Sequence, residues 1–101
     1  MSRRVGRPKD HARAGLRAEF PTLSERSFAS LYKAHKSVSD LGAMINDELW
    51  IRRTLNSAKE SATRPNGSFN VSRFVRECEA KILDKLVELE ESGEDIYQGY
   101  L

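Results

Sequence analysis

The side chains of this sequence best suited to catalysis or metal binding are two histidines and one cysteine, and they stand far apart. His11 and His35 fall in different predicted helices, and neither has a Cys, Asp or Glu at the spacing of a metal-ligand motif. Cys78 falls inside an apolar helical stripe, where we expect a buried structural thiol with nothing nearby to lower its pKa. Phosphate-binding glycine loops, nucleophile elbows and dinucleotide fingerprints are absent from the sequence. We therefore expect no enzymatic activity, no metal and no cofactor.

Basic side chains concentrate near the N-terminus. Residues 1–20 carry six basic side chains against two acidic ones, whereas residues 65–101 carry four basic against eight acidic, within a net charge of +2. Such asymmetry indicates a basic arm for polyanions and an acidic end that stays away from them. We predict nucleic-acid binding, with DNA favoured over RNA, through the six basic residues of this segment. They are Arg3, Arg4, Arg7, Lys9, Arg13 and Arg17.

Within that segment, the run Arg-Val-Gly-Arg-Pro-Lys resembles an AT-hook, a motif whose Gly-Arg-Pro core lies in the narrow minor groove of A·T-rich DNA. Pro8 favours an extended backbone, Gly6 allows close approach, and Arg7 suits the negative potential of the groove. Val5 stands where the usual motif has Arg. The resemblance implies minor-groove contacts, whereas general attraction to phosphates and a solubilising tail are the alternatives.

The elements that position these residues are predicted to be helices. A chain of 101 residues, 39% hydrophobic and 32% charged, is one domain at most. No alternating strand pattern is longer than a few residues, whereas apolar residues recur at helical spacing. We expect an all-α fold, a small bundle of three to four helices over residues 10–92. A disordered basic arm (1–9) precedes it, and a short acidic-aromatic tail (93–101) follows.

Capping and breaking residues set the predicted helix boundaries. Asp10 is expected to cap a first helix over 11–20, which Pro21 ends. The capping-box pattern of Thr22 and Glu25 starts the second helix, and Ser37 with Ser39-Asp40 indicates a break near 37–39. The third helix is placed at 40–62. The sequence from Thr63 to Ser68 predicts a loop, and the fourth helix, 71–92, begins at a cap on Asn70 or Ser72.

Trp50 suggests a second kind of function. On a third helix over 40–62, Trp50 points away from the apolar face, while Arg52 falls within it. An exposed aromatic indicates an interface, and the N-terminal helix, a second subunit or a nucleic-acid base are the candidates to cover Trp50. The alternative function is therefore a protein-interaction module of adaptor, inhibitor or immunity type. Its surface is predicted at Trp50, Arg53, Ile96, Tyr97 and Tyr100.

The fourth helix carries more apolar surface than one packed face requires. Leu83 and Val87 flank the main stripe, which favours a homo-oligomer. No apolar run is long enough for a membrane span, and no signal-peptide pattern is present, so we expect a cytoplasmic protein. A basic arm on a small helical oligomer is the organisation of small phage or plasmid regulators and packaging accessories.

Overall fold

The computed structural model describes the backbone of residues 8–92 and the side chains of residues 12–92. It confirms the all-α prediction, with four helices: α1 (Pro8–Glu19), α2 (Glu25–Met44), α3 (Glu48–Ala62) and α4 (Val71–Ser92). Within these residues the β-structure is limited to one isolated bridge between Thr63 and Phe69. Residues 1–7 of the predicted arm, with Arg3, Arg4 and Arg7, lie outside the described residues. So do the predicted tail, with Ile96, Tyr97 and Tyr100, and the side chain of Lys9.

Helix α1 begins earlier than predicted and ends where expected. Pro8 is its first residue, so the prediction of a cap at Asp10 is wrong and residues 8 and 9 belong to the helix. Proline suits this position, since its fixed φ is helical and its missing N–H would have no helical acceptor. The helix ends at Glu19, before the Phe20-Pro21 step.

Helix α2 is longer than predicted because it continues through the expected break at 37–39. The Ser37 hydroxyl donates to the Lys33 carbonyl at 3.1 Å, and Lys36 pairs with Asp40 at 2.8 Å. These polar side chains are satisfied inside the helix rather than as caps of a new one. The N-cap is Ser24 rather than Thr22, since the Ser24 Oγ accepts from the Ser27 N–H at 3.1 Å.

The real break lies at residues 45–47. Asn46 has a φ of 58°, the left-handed conformation that Asn tolerates better than most residues. Asp47 then caps α3, and its carboxylate accepts from the Trp50 N–H at 3.1 Å. The Asp47 N–H donates to the Gly42 carbonyl at 2.8 Å, so the turn is tight and α3 folds directly back along α2.

Helices α2, α3 and α4 surround the core, and α1 lies across the first two. Helix α4 runs antiparallel to α3, since Arg73 near the start of α4 bonds Ser61 near the end of α3, and Lys85 pairs with Asp47 at the start of α3. Helix α4 runs parallel to α2, since the two helices line one groove in the same order along the chain. A bond of 3.0 Å from Lys59 to Glu19 ties α1 to α3. The core is made of buried apolar side chains from all four helices. They are Leu16, Phe28, Leu31, Ala34, Val38, Leu55, Ala58, Ala62, Phe74 and Cys78.

The loop between α3 and α4 is closed by its own polar groups. Asn70, one of the two predicted caps, accepts from the Arg73 N–H at 3.1 Å. Phe69 carries the loop onto the core, with its ring centroid 4.7 Å from that of Phe20.

Between residues 8 and 92, the chain contains no helix both long and apolar enough to cross a membrane.

Gly42 permits the closest approach of α2 and α3, which yields a stability prediction. A Cβ at Gly42 would overlap the Ile51 side chain. We expect Gly42→Ala to lower the free energy of unfolding by about 1–3 kcal/mol, since overpacking outweighs the gain in helix propensity. Gly15→Ala is the control, because a Cβ there meets nothing within 4 Å and should leave stability equal or higher. Urea unfolding measures the stability of both variants. Equal stabilities of Gly42→Ala and Gly15→Ala would contradict the close packing of α2 and α3 at Gly42.

Candidate nucleic-acid interface

Of the two predicted contacts whose side chains the structure describes, Arg13 is the accessible one. Its side chain is exposed, and its guanidinium carbon lies 4.9 Å from the ring centroid of Phe28 and 5.6 Å from that of Tyr32. Cation–π attraction to the two rings holds the guanidinium against α2. Among the described side chains, no carboxylate lies within ion-pair distance of Arg13. Its charge therefore remains available to an anion.

Arg17, predicted as a second contact, is used within the fold instead. Its two terminal nitrogens donate to the carbonyls of Phe20 and Leu23 at 3.0 and 2.9 Å, and one lies 3.5 Å from the Glu25 carboxylate. The guanidinium also lies 5.0 Å from the Phe28 ring centroid. Arg17 thus fastens the turn between α1 and α2.

Three further cations lie around a groove between α2 and α4. The first stretch of the groove, about 380 Å³, has Arg26 on the α2 side and Arg76 on the α4 side. Lys33 lines the next stretch, about one turn further along both helices. All three side chains are exposed, and none has an ion-pair partner among the described residues. We call Arg13, Arg26, Lys33 and Arg76 the basic face.

The charge balance of the basic face is positive. Its neighbours Arg17 and Lys36 are already paired, with Glu25 and Asp40 respectively. Glu79 is the one carboxylate that lines the described groove, against three cations. The parallel helices α2 and α4 also direct their N-termini to the same end of the bundle, where the helix dipoles add positive potential. An anion approaching this end meets a net positive field.

The opposite end of the bundle is acidic. The last three turns of α4 carry four carboxylates, with Lys85 as the described cation among them. They are Asp84, Glu88, Glu90 and Glu91. Lys85 is paired with Glu88 at 3.3 Å and with Asp47 at 3.8 Å, so this end is negative. The charge asymmetry of the sequence therefore becomes a polarity along the bundle.

Sequence reasoning missed Arg26 and Arg76. Arg26 and Lys33 are seven residues apart and so share one side of α2, a signal that was present in the sequence. Arg76 gave no such signal, since its place beside Arg26 depends on the parallel packing of α2 and α4. Lys36, three residues after Lys33 on the same side of α2, is paired with Asp40.

Trp50 does not point away from the core, and that prediction is wrong. Leu41, Met44 and Ile45 precede α3, so the centre of its buried face moves toward Thr54, and Trp50 lies at the edge of that face. The indole is half-buried and packs against the core, with Lys85 Nζ 5.6 Å from the ring centroid. The side chain that the structure places over the indole belongs to α4 and was not among the three candidates to cover Trp50.

The neighbouring arginines of α3 are also placed differently from the prediction. Arg52 is exposed rather than inside the apolar stripe, for the same reason of a shifted buried face. Arg53 is exposed on the outer side of α3, away from the core and from the basic face. Trp50 and Arg53 are three residues apart and so neighbour each other on α3, but only Arg53 is exposed, whereas Trp50 is half-buried at the edge of the buried face.

The side chains of His35 and Cys78 occupy structural positions, and that of His11 lies outside the described side chains. His35 is partly buried, and burial together with Lys59 lowers its pKa, while Glu19 opposes the shift. Cys78 is fully buried in the core, where loss of solvation raises the pKa of its thiol to about 11. Over the described part of the chain, no three His, Cys, Asp or Glu side chains come together to hold a metal ion.

Comparison of the chain with models of protein families, with curated proteins and with solved structures finds no match. Function has to be inferred from the residues and their geometry.

The two arginines of α1 should respond differently to substitution. We expect Arg17→Ala to lower the free energy of unfolding by about 1–3 kcal/mol, since two backbone carbonyls lose a charged donor. Arg13→Ala, the matched control in the same helix, should change stability much less, because its guanidinium makes only ring contacts. Urea unfolding followed by circular dichroism measures both. Equal losses would contradict the assignment of Arg17 to the fold.

The Cys78 thiol should be unreactive in the folded protein. With its pKa near 11 rather than the ordinary 9.0, the thiolate fraction at neutral pH falls roughly a hundredfold. A disulfide reagent followed by absorbance should therefore modify Cys78 at least that much more slowly in buffer than in denaturing urea. Similar rates in both conditions would show that the thiol is accessible in the native state.

Proposed function

We propose that the protein binds DNA, with the basic face and the basic N-terminal residues contacting phosphates. The observation that carries the proposal is the set of four exposed cations around α2 without carboxylate partners among the described side chains. An isolated surface arginine or lysine is ordinarily solvated and carries no such implication. Here Arg13 packs on α2 over Phe28, and the other three line the groove between α2 and α4, while four carboxylates lie in the last turns of α4.

The chemistry of the basic face suits a phosphate backbone. Phosphates attract Arg and Lys at any sequence, and each neutralised phosphate releases bound counterions. Arg13 lies at the side of α2, and α1 leads from it back to the basic residues Arg3, Arg4 and Arg7. The N-terminal residues are proposed to follow the DNA, with Arg7 of the Gly-Arg-Pro sequence in the minor groove. The basic face then supplies the phosphate contacts that fix the bundle against the duplex.

The proposed role is that of a cytoplasmic binding protein without catalysis, of the kind found among small regulators and packaging accessories. Its mid-helix thiol is neutral and buried, which is unsuited to nucleophilic attack. The groove between α2 and α4 is open and is lined mainly by Ser, Arg and Val, with Glu79 as its one carboxylate in the described residues.

Salt-dependent binding to duplex DNA tests the proposal. We expect the full-length protein to bind a labelled A·T-rich duplex with an affinity that falls as salt rises. Replacing Arg26 by Gln should reduce the slope of log affinity against log salt by about one, the loss of a single phosphate contact. Fluorescence anisotropy over a salt series measures both quantities. Neutralising Arg3, Arg4 and Arg7 together should weaken binding further and reduce the preference for A·T-rich over G·C-rich duplex.

Arg53→Gln is the matched control, since it removes the same charge from an exposed position on the outer side of α3. It should leave the salt slope unchanged. Absence of salt-dependent binding would rule out the proposal. An equal effect of Arg26→Gln and Arg53→Gln would show general charge attraction rather than a defined face.

The second candidate function is a protein-interaction module. The packing of Trp50 against the core removes much of the surface on which it was predicted. The support for a protein-interaction module in the described residues lies instead on the outer side of α4, where large apolar side chains are exposed.

A further inference from the structure

Helix α4 has an exposed apolar surface beside and behind the face that it buries in the core. Leu83, Leu86 and Val87 are 62%, 37% and 51% exposed, and they occupy two successive turns. The core side of the same helix is covered by α2 and α3 through Phe74 and Cys78. At roughly 100° per residue, Leu83 lies on nearly the opposite side of the helix from Phe74. We call Leu83, Leu86 and Val87 the outer stripe.

Most of the main stripe predicted for α4 is already used within the bundle, and Leu86 is the predicted member that stays exposed. That stripe was predicted at Val71, Phe74, Val75, Cys78, Ile82, Leu86 and Leu89. Val75 and Ile82 pack against the core, and Lys85 lies over the Trp50 ring. The surplus apolar surface that the sequence predicted is therefore confined to the outer stripe. Contiguous exposed apolar side chains of this size on a small protein mark a contact surface more often than isolated ones do.

Charges along the outer side of α4 select the partner. Arg76 stands seven residues before Leu83 and Glu90 seven residues after it, both on the side of the outer stripe. Seven residues are close to two helical turns, so the three positions are nearly in line. A helix with Arg before and Glu after a central Leu is complementary to itself when it is turned end to end.

We propose that the outer stripe binds the same stripe of a second copy of this chain, with the two α4 helices antiparallel. In that arrangement Leu83 meets Leu83, and Arg76 of each copy stands opposite Glu90 of the other. A parallel arrangement would instead place Glu90 and Glu91 against their own copies, which like-charge repulsion disfavours. The acidic half of α4 thus faces the basic half of its partner.

The interface is small, so the association is weak and depends on concentration. Stable dimers bury roughly 800 Å² on each partner, an area that three side chains and their polar neighbours do not reach by themselves. Self-association at micromolar to millimolar concentrations is the expected range. The dimer does not rest on DNA binding, although it would join two basic faces and raise the avidity for a duplex.

Sedimentation velocity of the full-length protein without nucleic acid tests the pairing. The wild-type mass should rise from 11.5 kDa toward twice that value as concentration increases. Leu83→Gln should weaken the dimer by roughly tenfold or more, because the leucine is removed from both sides of the interface. The substitution adds no charge and suits an exposed helical position, and circular dichroism verifies that the fold is retained.

Leu49→Gln provides the control. Leu49 is 52% exposed at the start of α3, so the same chemical change is made at a similar exposure outside the outer stripe. It should leave the association unchanged. A wild-type protein that stays monomeric at the highest concentration would overturn the proposal, as would equal effects of the two substitutions.

Charge exchange tests the antiparallel orientation. Arg76→Glu and Glu90→Arg should each weaken the dimer by roughly threefold to tenfold, since each places like charges together, and the double variant should restore it. Additive weakening in the double variant would overturn the antiparallel register. Because these measurements contain no DNA, loss of the dimer and loss of DNA binding can be observed separately.

Discussion

The structure depends on the wide face that α2 must bury. Phe28, Leu31, Ala34, Val38 and Leu41 are all buried, and they extend over an arc of about 140° around the helix. One neighbouring helix covers a narrower arc than this, so three helices are needed to keep these side chains from water. Helix α1 covers the side of Phe28, α3 the side of Gly42, and α4 the side of Ala34. The antiparallel turn at Asn46 and the parallel return of α4 both follow from this arrangement.

The same constraint determines where the protein can meet a ligand. Once three neighbours surround α2, its remaining side is a polar ridge that holds Arg26, Lys33 and the paired Lys36. Its flanks belong to α1 and α4, which contribute Arg13 and Arg76. The cations of the basic face are therefore far apart in sequence but held by the core in one arrangement. Arg17 shows the contrast, since the same residue type four positions after Arg13 satisfies two carbonyls of the following turn.

The sequence predicted the helical class, the end of α1, the loop after α3 and the position of α4, because those features depend on local signals. Pro21, the Pro65-Asn66-Gly67 loop and Asn70 act through neighbouring residues alone. The break in α2 was misplaced because Ser37 and Asp40 carry the same local signal whether they cap a helix or bond within one. The orientation of Trp50 and the pairing of Arg26 with Arg76 required knowledge of which helices are neighbours, and that information is in the core rather than in any short segment.

Helix α4 joins the two proposed surfaces and keeps them distinct. Its groove with α2 carries Arg76 and Glu79, and its outer stripe begins one turn further along the helix. Arg13, Arg26 and Lys33 belong to α1 and α2 rather than to the α4 surface that is proposed to pair. Arg76 is the side chain within reach of both surfaces, so a phosphate and the Glu90 of a second copy would compete for it. That competition weakens each interaction by one ionic contact but removes neither, since three other cations and three apolar side chains remain.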